Sequence, residues 1–224
     1  MPVVGDERLQ ALLDTLHAES DGQKAEILAF ETRGRRAGAA SSAEEIRAFR
    51  RNKLVALDRD KSEFCYQLCC AKKACHIVEV GTSYGVSTLY LAAAVRDNVA
   101  KFGGSGAVIG TEYEPSKTVA ARENFTRSGL SSFIQLREGD LRETLTKIDS
   151  PIDFVLMDVW IAMALPAIEL IAPHLAYGAV VVSDNTRKHR ALYADYFNFL
   201  QDPANRFTTM TLPFDGGLEL SVRC

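Results

Sequence analysis

The chain has 224 residues, 47% of them hydrophobic and 25% charged, which suits one globular domain with or without an extension. A net charge of −3 excludes the basic footprint of a nucleic-acid binder. The opening MPVVGDERLQ holds no apolar secretory core, and no uncharged apolar stretch is long enough for a bilayer, so a cytoplasmic protein with neither nucleic acid nor membrane as partner is expected.

Residues 1–55 read as helices, and residues 56–224 as a separate α/β domain. Leu9, Leu12, Leu13 and Leu16 make one helical stripe, and Ile27, Leu28 and Phe30 mark a second helix. GRRAGAASS (Gly34–Ser42) is a small-residue linker. Ser42, three residues before Glu45, is a capping-box signature for a third helix, and RDKSEFCYQLCCAKK (Arg59–Lys73) is a fourth. The basic stretches RGRR (Arg33–Arg36) and RAFRRNK (Arg47–Lys53) fit either an anion contact or a solvated helix face. Four of the five cysteines (Cys65, Cys69, Cys70, Cys75) fall close together without a CxxC pair, so zinc-ribbon spacing is absent. Cys65 and Cys69 share one helix face, a buried one on the simplest account, and free thiols in this number suit a reducing compartment.

After Cys75 the pattern becomes strand, turn, helix, repeated. HIVEV, AVIGTE, FIQLRE, IDFVLMD and GAVVVSDN are short apolar runs, each followed by a helical segment. Pro115 and Gly129 bracket one of these helices, while Pro166 and Pro173 confine another. FTTMTLPFDGGLELSVR reads as a terminal hairpin. Strands apolar throughout are buried on both faces, which predicts a doubly wound, Rossmann-like α/β fold with a seven-stranded, mostly parallel sheet and an antiparallel C-terminal hairpin strand.

Ligands of such sheets bind beyond the carboxyl ends of the strands. The first of these turns is Glu79-Val80-Gly81-Thr82-Ser83-Tyr84-Gly85. Its two glycines fit either a nucleotide-type cofactor or a tight turn, and the spacing departs from the GxGxxG of a dinucleotide site. Glu112 ends the second strand, where a carboxylate can accept from both ribose hydroxyls, and Asp140 follows the third, where it could accept from an exocyclic amine. Acids without a phosphate cradle describe a nucleoside ligand lacking phosphates, and S-adenosylmethionine fits that description.

In order along the chain, VEVGTSYGVS, TEYEP, REGD, LMDVW, VVVSDN and LPFDGGLELSVR make the segment Leu57–Cys224 resemble class I S-adenosylmethionine-dependent methyltransferases. More narrowly, it is similar to the cation-dependent O-methyltransferases of the catechol and caffeoyl-CoA type. The resemblance implies a methyl transfer to a hydroxyl of a small aromatic vicinal diol. It puts Glu79, Gly81, Ser83 and Ser87 in the cofactor loop, Glu112 at the ribose, Gly139 and Asp140 near adenine, and Leu57, Asp158 and Trp160 along the cofactor. It further implies that Asp158, Asp184 and Asn185 hold a divalent cation, Mg²⁺ or else Mn²⁺ or Ca²⁺, and that the protein is a homodimer. Residues 1–55 lie outside the resemblance, and their apolar stripes need a surface to cover, as a lid on the cleft or a dimer contact.

The residues themselves allow two readings of the metal triad. Three oxygen ligands at one sheet edge suit a hard cation, which would lower a phenol pKa. Equally, Asp158 could cap a helix, and Asp184-Asn185 is ordinary turn chemistry. Where the family places a catalytic lysine this chain has Ile161. Lys188 and His189 are the nearest candidate bases in sequence, or else exposed residues opening a helix. Metal-independent transfer to another acceptor, a nicotinamide-dependent oxidoreductase and a non-catalytic cofactor-binding module remain the alternatives.

Overall fold

In a computed structural model, described here over residues 5–36, 42–148 and 151–224, the chain forms a three-layer α/β structure. Helices α1 (Glu7–Arg36), α2 (Ala43–Arg50) and α3 (Arg59–Lys72) precede the first strand. The alternating part runs β1 (His76–Val80), α4 (Val86–Phe102), β2 (Ala107–Glu112), α5 (Pro115–Ser128), β3 (Ile134–Glu138), α6 (Leu141–Thr144), β4 (Ile152–Met157), α7 (Ile161–Ile171), β5 (Leu175–Asp184), α8 (Ala194–Gln201), β6 (Phe207–Leu212) and β7 (Leu218–Arg223).

The sheet order is β3-β2-β1-β4-β5-β7-β6, with β7 antiparallel to both its neighbours and the first five strands parallel. The expected seven-stranded architecture is therefore what forms. Alternation along each strand divides the core. Ile77, Phe154, Leu156, Val180 and Val182 pack on one face with α3 and α4. Val78, Val80, Val155, Met157 and Val181 pack on the other with α7 and α8. The order reverses between β1 and β4, so their carboxyl ends open a crevice.

Two local expectations need correction. The two helices expected before the linker are one, Glu7–Arg36, which continues through Asp21-Gly22. Its first half buries Leu9, Leu12, Leu13 and Leu16 in the same core as α4, while Gly22 meets nothing within 4 Å. An exposed helical glycine costs only about 1 kcal/mol relative to alanine, too little to end a helix already docked. Of the linker, Gly34–Arg36 belong to α1, and residues 37–41 lie outside the described part. Pro166 sits inside α7 rather than ending it.

Elsewhere local chemistry acts as read. Ser42 and Glu45 form a reciprocal capping box. Pro115 opens α5 and Gly129 closes it in the left-handed conformation. Cys65 and Cys69 are buried on one face of α3, and all five cysteines are free thiols. No described helix is long and apolar enough to cross a membrane.

Candidate active site

The turn after β1 carries the two glycines whose purpose the sequence left open. Gly81 has φ +98°, and a Cβ there would lie 2.0 Å from the carbonyl oxygen of Asp158. Gly85 has φ +81°, and its Cβ would meet the Phe125 ring at 2.4 Å. Both glycines therefore admit the protein's own chain. The first lets the end of β4 lie across the β1 turn, and the second lets α5 close on α4.

Between them Ser83 adopts φ +50°, uncommon for a residue with a side chain. Its backbone N–H donates to Glu112 Oε2 at 2.7 Å, tying the turn to the end of β2. The N–H of Glu114 donates to the other Glu112 oxygen at 2.8 Å. A carboxylate offers about four acceptor positions, so Glu112 keeps capacity for further hydroxyl donors. The Ser83 hydroxyl is buried and has no hydrogen-bond partner. It lines a cleft together with Leu57, Gly81, Ser87 and Asp158. A buried orphan hydroxyl beside an acid with spare lone pairs fits the polar edge of a nucleoside-type ligand.

Glu79 lies beneath this turn and is fully buried. Ser87 Oγ donates to its Oε1 at 2.6 Å, Thr82 Oγ1 to its Oε2 at 3.0 Å, and Thr88 Oγ1 also to Oε2. Burial raises its pKa, and these three hydroxyls work against that rise. Glu79 thus holds the turn from below through its hydroxyl partners.

Gly139 follows β3 and donates its N–H to the Glu112 carbonyl at 2.9 Å, which sets it at the same edge. Asp140 is engaged differently from expectation. It caps α6 through the Arg142 N–H at 2.9 Å and pairs with the Arg142 guanidinium. The Arg142 side chain, then its backbone N–H, hold the Asp140 carboxyl down at about 2. Trp160 caps the start of α7, is 47% exposed, and has the Arg50 guanidinium 5.6 Å from its ring centroid.

The ends of β4 and β5 bring Asp158, Asp184 and Asn185 to one edge. Burial, then the charges of Asp184 and Glu79, push the Asp158 carboxyl up to about 8. Asn185 is in the left-handed conformation, and its Nδ2 donates to Asp184 Oδ2 at 2.6 Å. A Cβ on Gly216 would lie 2.4 Å from Asn185 Oδ1, so the Gly216-Gly217 turn of the terminal hairpin presses on this corner.

The other oxygen of Asp184 meets a residue that the sequence reading did not single out. Lys61 Nζ lies 2.7 Å from Asp184 Oδ1 and 3.0 Å from Asp58 Oδ2, with its side chain only 1% exposed. Burial works to lower the Lys61 pKa, but the hydrogen bond and charge of Asp184, then those of Asp58, outweigh it and hold it above the ordinary lysine value. Burial raises Asp184 while Lys61 lowers it, and the short contact to a charged ammonium is that of an ionised carboxylate.

The expected divalent cation does not fit these residues as they are placed. Both Asp184 oxygens are engaged by donors of the chain, one of them a cation.

Of the candidate bases, Lys188 is exposed, and its backbone N–H donates to the Gly216 carbonyl at 3.0 Å. His189 is half-buried in the same turn. That turn leads into α8 as an irregular stretch, and the helix itself begins only at Ala194. Ile161 opens α7 and packs on the core between that helix and the sheet.

A signal for Lys61 was present in the sequence. Lys61, Cys65 and Cys69 fall at intervals of four on α3, so the stripe that buries the two cysteines also buries the lysine.

The strand order and the turn after β1 define a Rossmann-like fold of the methyltransferase type. Residues 78–186 match the family described as "Methyltransferase domain". The chain is 28% identical to a catechol O-methyltransferase of Niastella koreensis across 59% of its own length and 62% of that relative's. It is also 28% identical to a catechol O-methyltransferase of Mycobacterium tuberculosis, across 63% of its own length and 61% of that relative's. The matched stretch is thus less than two thirds of either relative. The fold is similar to that of an O-methyltransferase from Bacillus cereus in complex with SAH, with a TM-score of 0.69 at 18% identity, covering 98% of this chain and 91% of that one. The resemblance to class I S-adenosylmethionine-dependent O-methyltransferases drawn from the sequence is borne out.

Proposed function

We propose that this chain is an S-adenosylmethionine-dependent O-methyltransferase that methylates a hydroxyl of a small aromatic acceptor of the catechol, phenylpropanoid or flavonoid kind. The observation that carries the proposal is the cleft at the ends of β1 and β4, lined by Leu57, Gly81, Ser83 and Asp158, in which the Ser83 hydroxyl has no partner while the Ser83 N–H is tied to Glu112, an acid with spare acceptor capacity at the end of β2. The names of the relatives support the acceptor class.

When bound, the cofactor supplies an electrophilic methyl on a sulfonium, and its electron pair returns to sulfur as the new O–C bond forms. The protein's part is placement. Glu112 would accept from the ribose hydroxyls, and Ser83 Oγ would gain the partner it lacks. Leu57 and its neighbours would exclude water from one side. Trp160, half out in solvent, would flank the acceptor. The acceptor proton has to leave, and Asp158 lines the cleft with a carboxyl of raised pKa, suited to hold a proton near neutral pH. Lys188 and His189 follow the Asp184-Asn185 corner in the chain as alternative proton carriers.

The N-terminal helices enter this proposal as a cover over the cleft. Arg47 and Arg51 of the α2 region pair with Glu114 at 3.1 and 3.3 Å, Arg47 stacks over Tyr113, and Arg50 approaches Trp160. These contacts link α2 to the ends of β2 and β4. A homodimer is part of the same proposal, and light scattering at micromolar concentration should give twice the chain mass.

The test is transfer of a labelled methyl group from S-adenosylmethionine to pooled catechols and polyhydroxy flavonoids, with S-adenosylhomocysteine binding measured beside it. Labelled product together with binding is expected. A protein that does not bind S-adenosylhomocysteine would sink the proposal.

A further inference from the structure

Four acids approach one another at the ends of β1, β4 and β5. Glu79, Asp158 and Asp184 come from the strands or the residue just beyond them, and Asp58 comes from the segment before α3. The charges of Asp184, Glu79 and Asp58 all raise the Asp158 carboxyl. Such a cluster needs a compensating cation, because uncompensated buried charge is costly. Lys61 Nζ stands between Asp58 and Asp184, at 3.0 and 2.7 Å. Its charge also favours ionisation of Asp158.

We propose that Lys61 is the resident cation of this site, a positioning residue whose ammonium, held by Asp58 and Asp184, serves in place of a divalent metal ion at the corner of Asp158, Asp184 and Asn185. Three features of the structure support this. The stem of Lys61 reaches its position along the buried stripe of α3 shared with Cys65 and Cys69, so the ammonium is anchored by the core and cannot swing out as a surface lysine does. The second Asp184 oxygen is held by Asn185 Nδ2 at 2.6 Å, which turns toward the carboxylate the amide nitrogen, a donor with no lone pair to offer a cation. The corner is further fixed by Gly216 against Asn185 and by Tyr193, whose hydroxyl donates to the Asp184 carbonyl at 3.4 Å.

An ammonium and a divalent ion in the same cluster repel each other strongly. Metal uptake would require Lys61 to leave two carboxylates for solvent it cannot reach. The site should therefore reject divalent ions and position Asp184 and Asp158 without one. This is a statement about ion binding, and it stands whether or not the acceptor proposed above is the right one.

The experiment is Mn²⁺ titration of the full chain without acceptor, read by electron paramagnetic resonance of the free ion and by calorimetry with Mg²⁺. The wild type should show no saturable site at millimolar ion. Lys61→Ala removes the ammonium and opens space, so it should bind one Mn²⁺ about tenfold or more tightly than wild type, and Asp184→Asn on that background should abolish the binding. A single saturable Mn²⁺ site in the wild type that Asp184→Asn removes would overturn the proposal. So would a folded Lys61→Ala variant that takes up no ion. If that variant does not fold, the wild-type titration decides alone: saturable, Asp184-dependent binding overturns the proposal, and its absence upholds it. Once an acceptor is known, methyl transfer unchanged by EDTA is the corresponding result in turnover.

Discussion

Two corners of the same sheet edge solve the same problem by different means. At the turn after β1, the buried carboxylate of Glu79 is met by three neutral hydroxyls, from Thr82, Ser87 and Thr88. At the corner after β5, the buried carboxylate of Asp184 is met by the charge of Lys61. A neutral network spreads its contribution over several modest hydrogen bonds, so losing one member leaves the others. A buried ion pair concentrates it in one partner, and removing that partner strands the opposite charge. The first corner is built to tolerate variation in its donors, and the second is not.

Unfolding measurements can break that comparison. Lys61→Met keeps the stem and removes the charge, and it should destabilise the protein by about 3–5 kcal/mol in urea unfolding at neutral pH. Ser87→Ala removes one of three donors to Glu79 and should cost about 1.5–3 kcal/mol. Equal losses at the two positions would show that the charge of Lys61 is no more important than a hydroxyl.

A smaller effect appears in the pH dependence. The folded protein raises the Asp158 carboxyl to about 8 from an ordinary value of 3.8. The contribution of that group to stability is therefore fully present below about pH 4 and is lost as pH rises through about 8. Asp158→Asn carries no such penalty. Its Tm relative to wild type should climb between pH 5 and pH 9, by several degrees at the upper end. A difference that stays flat with pH would mean that Asp158 remains ionised throughout and that Lys61 compensates it as well as Asp184.

The smallest effect sharpens the picture of the neutral corner. The Ser83 hydroxyl has no partner in the free protein, so Ser83→Ala should leave Tm unchanged within about a degree. It should weaken S-adenosylhomocysteine binding about three- to tenfold by calorimetry, the worth of about one hydrogen bond. A fall in Tm without loss of affinity would make Ser83 a structural residue of the turn.

The sequence alone determined the succession of strands and helices along the chain and the sheet edge at which their turns gather. Apolar runs of strand length, capping residues and proline–glycine brackets are local signals, and local periodicity is enough to decide which face a side chain takes. It placed Gly81, Ser83, Glu112, Asp158 and Asp184 at one rim because parallel strands must all end there. It also held the buried stripe of α3, although only its cysteines were read and not the lysine one turn before them. What it could not show was the partner of each charge. Asp140 went to Arg142 and Glu79 to hydroxyls of its own turn, because short-range donors lay within reach once the backbone had turned. Lys61 and Asp184 stand 123 residues apart. Only the packing of α3 across the end of β5 brings them together, so only the tertiary structure could show an ammonium against one of the acids that the family resemblance assigned to a metal.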